Sequence, residues 1–308
     1  MQRFTDILVL VPAGDDAPAL VERAVALASS NDARLTLFDA VPSVPSRRRR
    51  GGGRGPDLAR VIGRARERQL LALASEVADR AEVSVAVRSG EPFVAVIREV
   101  LTGGHDLVIA APDRPAGRVR GLVGASTVLH LLRKCPCPVW VDDPVTRQRA
   151  DVVAAVGPSL DPDGVDRTLV ELGSSLARRQ GGAFHVVHGW RLEGESLLRS
   201  HLSGFEAAEV DAMAAGVLED TEDRLRALLA AALPVGDEPK VHLHKGVPAD
   251  VVTRVVSDVE PGVVVMGTLA RTGVEGVIIG NTAERILGGI SASVLAVKPD
   301  GFRSPVRP

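Results

Sequence analysis

The chain has no tyrosine, and aromatic residues make up only 3% of its 308 positions. Proteins that hold single-stranded nucleic acid stack bases on aromatic side chains, so that platform is missing. The formal net charge is −2, which removes the bulk attraction to nucleic acid or to an anionic membrane surface. Nucleic acid is therefore not expected as a partner. No run of about 18 apolar residues occurs, so no segment is expected to span a membrane. Cys135 and Cys137 are the only cysteines, and they sit in CPCP. They are too close together for an ordinary structural disulfide; idle or buried thiols and a reducing, cytoplasmic setting are expected. G-x-S-x-G, a Walker A lysine motif and H-E-x-x-H are all absent, and no assembled catalytic site is expected. The opening MQRFTDILVLVP ends its apolar run at Pro12 and reads as a first strand rather than a signal peptide.

What is present is a chain that can bury real cores: 45% hydrophobic and 25% charged, with room for about two domains. Short valine-rich runs alternate with amphipathic stretches, the pattern of βαβ units and a parallel sheet. In the first half the expected strands are Ile7–Val11, Arg34–Phe38, Glu82–Val87, Leu107–Ala110 and Val139–Val141. The expected helices there are Ala17–Ala28, Leu58–Arg80 and Pro92–Leu101. The second half repeats the order, with strands Val152–Val156, Ala183–Val187, Lys240–His244, Val263–Met266 and Val294–Val297. Its helices are Val165–Arg179, Ala208–Leu233, Pro248–Val256 and Ala283–Leu287. An offset of 156 residues lays Gly90-Glu91-Pro92 on Gly246-Val247-Pro248, LVIA at 107–110 on VVVM at 263–266, and PVWV at 138–141 on VLAV at 294–297. One plan thus occurs twice, which argues for duplication. Polar residues 142–150 read as the linker.

Several constellations weigh less. Arg47–Arg50 and Arg54 make a basic, glycine-rich loop, suited either to gripping phosphate or to solvation between a strand and a helix; the second reading is preferred. His242 and His244 share a strand face, but no third ligand is evident nearby, so no metal is expected. His185 and His188 fall on opposite faces of their strand. The acidic Glu219–Asp223 segment reads as the solvated face of a long helix.

The most informative stretch is GTLARTGVEGVIIGNTAERIL, Gly267–Leu287. It follows a strand, at the carboxyl edge where open α/β sheets take ligands. Gly267 and Gly280 lack a Cβ and allow close approach to the backbone. Thr282 offers a hydroxyl, Arg271 a positive charge, and the helix start free N–H groups for phosphate. Asn281 suits the N-cap position, with Glu284 completing a box-like pattern that would occupy part of that helix start.

Both halves resemble the universal stress protein domain, and HLLRKCPCPVWV at 130–141, the Gly267–Leu287 string and the tail KPDGFRSPV are similar to the tandem, E-type members. The resemblance implies an α/β fold of two tandem domains, each a mostly parallel five-stranded sheet flanked by helices, Rossmann-like and akin to the adenine nucleotide alpha hydrolases. Residues 1–141 would be the first domain, with a degenerate nucleotide site; 142–150 the linker; 151–300 the second domain; 301–308 a tail. ATP-binding members carry G-x-x-G, nine residues, then G-S or G-T. Here the register holds, but Ala270 replaces the second glycine and Asn281 the Ser/Thr. Such members also end strand 1 in V-D; here Val156 precedes Gly157 and Val11 precedes Pro12. In the first copy Ala111, Arg114 and Gly124-Ala125-Ser126 stand at the motif positions.

The resemblance therefore implies a cytoplasmic stress-response protein with ATP, with Mg²⁺, as the ligand of the second domain. Gly267, Thr268, Ala270, Arg271, Gly280, Asn281, Thr282, Val156 and Gly157 are the candidate contacts. A non-nucleotide interaction or scaffold module stands as the alternative. No enzymatic role is expected, although slow ATP hydrolysis occurs in some relatives. The two domains would pack as a pseudo-dimer through Val139–Val141 and Val294–Val297, since family members pair through their fifth strands; a further homodimer and an unidentified protein partner remain open.

Overall fold

The structure, a computed structural model, describes residues 4–41, 58–112, 127–200, 204–268 and 280–308. The expected contacts Ala270 and Arg271, the basic loop Arg47–Arg54, and Arg114 with Gly124–Ser126 lie outside the described residues.

In the first half the order is β1 (Asp6–Leu10), α1 (Ala17–Asn31), β2 (Arg34–Val41), α2 (Leu58–Val77), β3 (Val83–Ser89), α3 (Pro92–Gly103), β4 (Leu107–Ala110), α4 (Thr127–Lys134) and β5 (Val139–Val141). The second half has β6 (Val152–Ala155), α5 (Val165–Gln180), β7 (Phe184–Trp190), α6 (Glu195–Leu198), α7 (Ala207–Ala232), β8 (Lys240–Lys245), α8 (Pro248–Val259), β9 (Val263–Gly267), α9 (Asn281–Gly289) and β10 (Ser293–Val297). Local chemistry explains most boundaries. Pro92 and Pro248 open α3 and α8, where the missing N–H is no loss. Gly104 and Gly181 close α3 and α5 in the left-handed conformation. Glu206 and Glu209 form a reciprocal capping box at the start of α7. The repeated Gly90 and Gly246 have φ of 142° and 153°, a region that favours glycine. Each donates its N–H to the end of the neighbouring strand, to Val41 O at 3.0 Å and to Trp190 O at 2.8 Å. The duplicated glycine thus performs one task twice.

Among the described residues ten strands join one sheet in the order β3-β2-β1-β4-β5-β10-β9-β6-β7-β8. Every pairing is parallel except β5 with β10, which is antiparallel and sets Trp140 opposite Leu295. The seam expected from the fifth strands is therefore the one observed. Side chains of alternating strand residues feed two cores. One face packs against α3, α4, α8 and α9, the other against α1, α2 and α5. A satellite core joins α5, α7 and β7.

The segment between the halves is polar in sequence but wedged into the molecule. Asp142, Asp143 and Thr146 are fully buried. Asp143 donates its N–H to Ser293 Oγ at 3.0 Å, and Thr146 Oγ1 donates to Gly262 O at 3.3 Å. Charged residues of this segment meet partners that hydropathy alone cannot reveal. The tail turns back as well: Val306 packs on the α3/α4 side of the core, and Arg98 Nε donates to Arg307 O at 3.2 Å.

Candidate functional site

The order of the second half changes direction at β6, which has β7 on one side and β9 on the other. The crevice beyond the carboxyl ends of β6 and β9 is the switch point at which open α/β sheets receive ligands. Three of its walls are described: the end of β6 with its following turn, the Gly267–Thr268 step, and the start of α9.

Gly267 ends β9 with its residue half-buried, and no described heavy atom lies within 4 Å of where a Cβ would sit. Thr268 turns inward instead. It is fully buried, and its Oγ1 accepts from Lys298 Nζ at 2.6 Å. Its hydroxyl is thus committed to the scaffold, contrary to the expectation that it faces a ligand. Gly280 N–H donates to Thr268 O at 3.0 Å, closing the excursion between β9 and α9. Lys298 also donates to Leu132 O, which belongs to α4 of the first half. Burial pulls this lysine down from 10.5 to about 8, a shift opposed by the neighbouring Cys135.

The start of α9 corrects a second expectation. Gly280, not Asn281, holds the N-cap position, and among the described residues no side chain caps the helix. Asn281 is the first helical residue and is exposed, as is Thr282. Glu284 does not reach back to complete a box; its carboxylate pairs with Arg133 of α4 at 3.2 Å. Its backbone N–H already bonds to Gly280 O at 3.0 Å. The first-turn N–H groups before it, of Asn281 to Ala283, keep the partial positive charge of a helix start.

At the end of β6, Val156 is buried and Gly157 half-exposed. The strand-end carboxylate is absent, but a carboxylate arrives from elsewhere: Asp166 of α5. It is buried, and accepts from Gly157 N at 2.6 Å, Asp161 N at 3.2 Å and Ser159 Oγ at 3.3 Å. A Cβ at Gly157 would lie 3.1 Å from Asp166 Oδ1, so glycine at 157 and aspartate at 166 are one arrangement. His188 on β7 sits behind, its Nδ1 3.4 Å from Val156 O, with its pKa lowered by burial. Sequence reading missed Asp166; the available signal was an acid in the first turn of a helix that follows Gly164.

The corresponding mouth of the first half is filled. Arg66 of α2 donates to Val11 O at 2.8 Å and Pro12 O at 2.7 Å, and pairs with Asp39. Its guanidinium stands across the end of β1. Ala111, at the first motif position, follows β4 and is half-buried.

Of two side clusters, the histidines differ from expectation and the buried cysteines agree with it. His242 does have a neighbour: His185 Nδ1 lies 2.9 Å from His242 Nε2, with the rings stacked at 5.2 Å. Strand pairing between β7 and β8 brings them together. Among the described residues no group of three or more ligating side chains could hold a metal. Cys135 and Cys137 are buried, with sulfurs 3.5 Å apart and hydrogen-bonded. That bond and burial hold the Cys137 thiol well above its ordinary value.

The description of the universal stress protein family matches residues 3–142 and again 151–298. Universal stress protein E of Photorhabdus laumondii is 27% identical, with 100% of this chain and 99% of the relative covered. Universal stress protein E of Escherichia coli K12 is 31% identical over 70% of this chain and 67% of its own length. Among solved structures, a functionally unknown protein of Pseudomonas aeruginosa PAO1 superposes with TM-score 0.71 at 22% identity, covering 98% of this chain and 95% of that one. A universal stress protein of Archaeoglobus fulgidus gives 0.63 at 16% identity, covering 98% and 97%.

Proposed function

The chain belongs to the universal stress protein family, and from that premise we propose that it is a stress-response protein whose second domain binds an adenine nucleotide while its first domain serves as scaffold. The observation that carries this reading is the start of α9, with Gly280 at the cap and no side-chain cap among the described residues. A bound phosphate would be held by the N–H groups of Asn281, Thr282 and Ala283 and by the Thr282 hydroxyl. Glu284, drawn toward Arg133, has part of its negative charge balanced. The base and ribose would lie toward Val156 and Gly157. Mg²⁺, when bound with ATP, would neutralise phosphate charge. No described side chain is placed as a base for water, so the proposal is binding and not turnover. Arg66 across the end of β1 supports a ligand-free first domain.

Calorimetry with ATP and Mg²⁺ tests the reading. Saturable binding is expected, weakened about tenfold or more by Gly280→Val, a change of at least roughly 1.4 kcal/mol. Absence of a heat signal, together with no co-purified nucleotide mass in native mass spectrometry, sinks it. A second reading, an interaction module without nucleotide, is favoured by Asp166: its oxygens are occupied by the turn after β6 and are not left for a ribose.

A further inference from the structure

A cleft of about 360 Å³ opens at the junction of the two halves, between α1 and α5. It lies on the face carrying the α1/α2/α5 core, whereas α9 packs on the other face. Its volume falls within the range of small-molecule sites, roughly 300–1,000 Å³. Trp140, Ile109 and Leu176 supply apolar lining, and Arg23, Arg147, Arg149 and Arg179 line it with no carboxylate among the lining residues.

Two of the guanidinium groups around it share one carboxylate. One buried carboxylate, Asp142, serves two guanidinium groups: Arg23 at 3.0 Å and Arg147 at 2.7 Å. Asp16 stands 3.9 Å from Arg147, and Glu260 3.5 Å from Arg149. Arg179 donates to Ser30 Oγ at 2.9 Å. Arg23 also lies over the Trp140 ring, 5.1 Å from its centroid. Three polar atoms of the lining are buried with no hydrogen-bond partner among the described residues: Arg147 Nη2, Trp140 Nε1 and Gln180 Oε1. Folded proteins rarely bury such groups without a partner, and each exception calls for an explanation.

We propose that this cleft binds a small organic phosphate bearing a flat apolar group. Arginine forks match phosphate oxygens two at a time, and Arg147 has an arm to offer. The flat group lies on the Trp140 and Leu176 surface, and Gln180 Oε1 accepts a hydrogen bond from the ligand. The site is separate from the crevice at α9, and it exists only because the two halves are joined.

Phenyl phosphate is the probe, read by tryptophan fluorescence in a Trp190→Phe background, which leaves Trp140 as the sole indole. Saturable binding with a Kd below about 1 mM is expected, falling as salt rises, with no response to phenol. Arg147→Gln should weaken it about tenfold or more. Because Arg147 also supports buried Asp142, Arg149→Gln combined with Arg179→Gln provides a second test, with fold checked by circular dichroism. Gly280→Val should leave binding unchanged. No saturable response, a response that survives the arginine substitutions, or one abolished by Gly280→Val would each overturn the proposal.

Discussion

At the scale of single residues, Lys298 concentrates the most physics. It is one of only four lysines, is buried, and joins Thr268 of the second half to Leu132 of the first. Its pKa is lowered from 10.5 to about 8 by burial. Below pH 8 the charge is carried in both folded and unfolded states and its desolvation opposes folding. As pH rises from 8 toward 10.5 the folded protein gives up this proton before the unfolded chain does, so stability rises, by about 3 kcal/mol at most. Cys135, lowered by its bond to Cys137 and by the charge of Lys298, acts in the same direction. Cys137 is shifted upward and acts against it above its usual value of 9.0. The clear window is therefore pH 8 to 9. Denaturation midpoints should rise across it in the native sequence and rise less steeply in Lys298→Met; a flat native profile would refute the account. None of this was visible in the sequence, where Lys298 reads as a charge after the last strand. Burial of its ammonium depends on α4 arriving from 166 residues away.

At the scale of elements, the fold was largely legible. Strands and helices declared themselves through valine runs and 3.6-residue periodicity, and the family resemblance named both strands of the seam. Boundaries moved by a few residues; β7 runs on to Trp190 because β8 continues to pair with it. Unnoticed elements were short: α4, α6 and the turn at Pro144–Thr146. The site was half legible. Glycine spacing located the crevice, but capping was misassigned because Asn281 and Glu284 satisfy a local rule that Arg133, from another helix, overrides. The β7–β8 pairing carries its own prediction. His185 and His242 are lowered by burial first and by cationic neighbours next. A histidine held below its usual 6.5 takes up its proton more readily in the unfolded chain, so stability is lost as pH falls below 6.5. Thermal midpoints should drop more steeply from pH 7 to 5 in the native protein than in His242→Phe. Equal slopes would show that the pair is inert.

At the scale of the molecule, one ten-stranded sheet predicts one unfolding event. Leu295 and Trp140 meet across the only antiparallel pairing among the described residues, and both are buried. Calorimetric scans should show a single transition, and Leu295→Ala should lower stability by about 2–5 kcal/mol without splitting it. Two transitions in the native protein would mean that the halves melt independently. The Trp140–Leu295 pair has a further meaning. In a twofold dimer of identical chains, each contact across the axis occurs twice, so every substitution there is made in both copies at once. A fused chain is released from that symmetry. Trp140 faces Leu295 at one contact while its counterpart Ala296 faces Val139 at the other, one half can set Arg66 across its strand end while the other keeps a glycine at the start of its last helix, and each can change without the other having to follow.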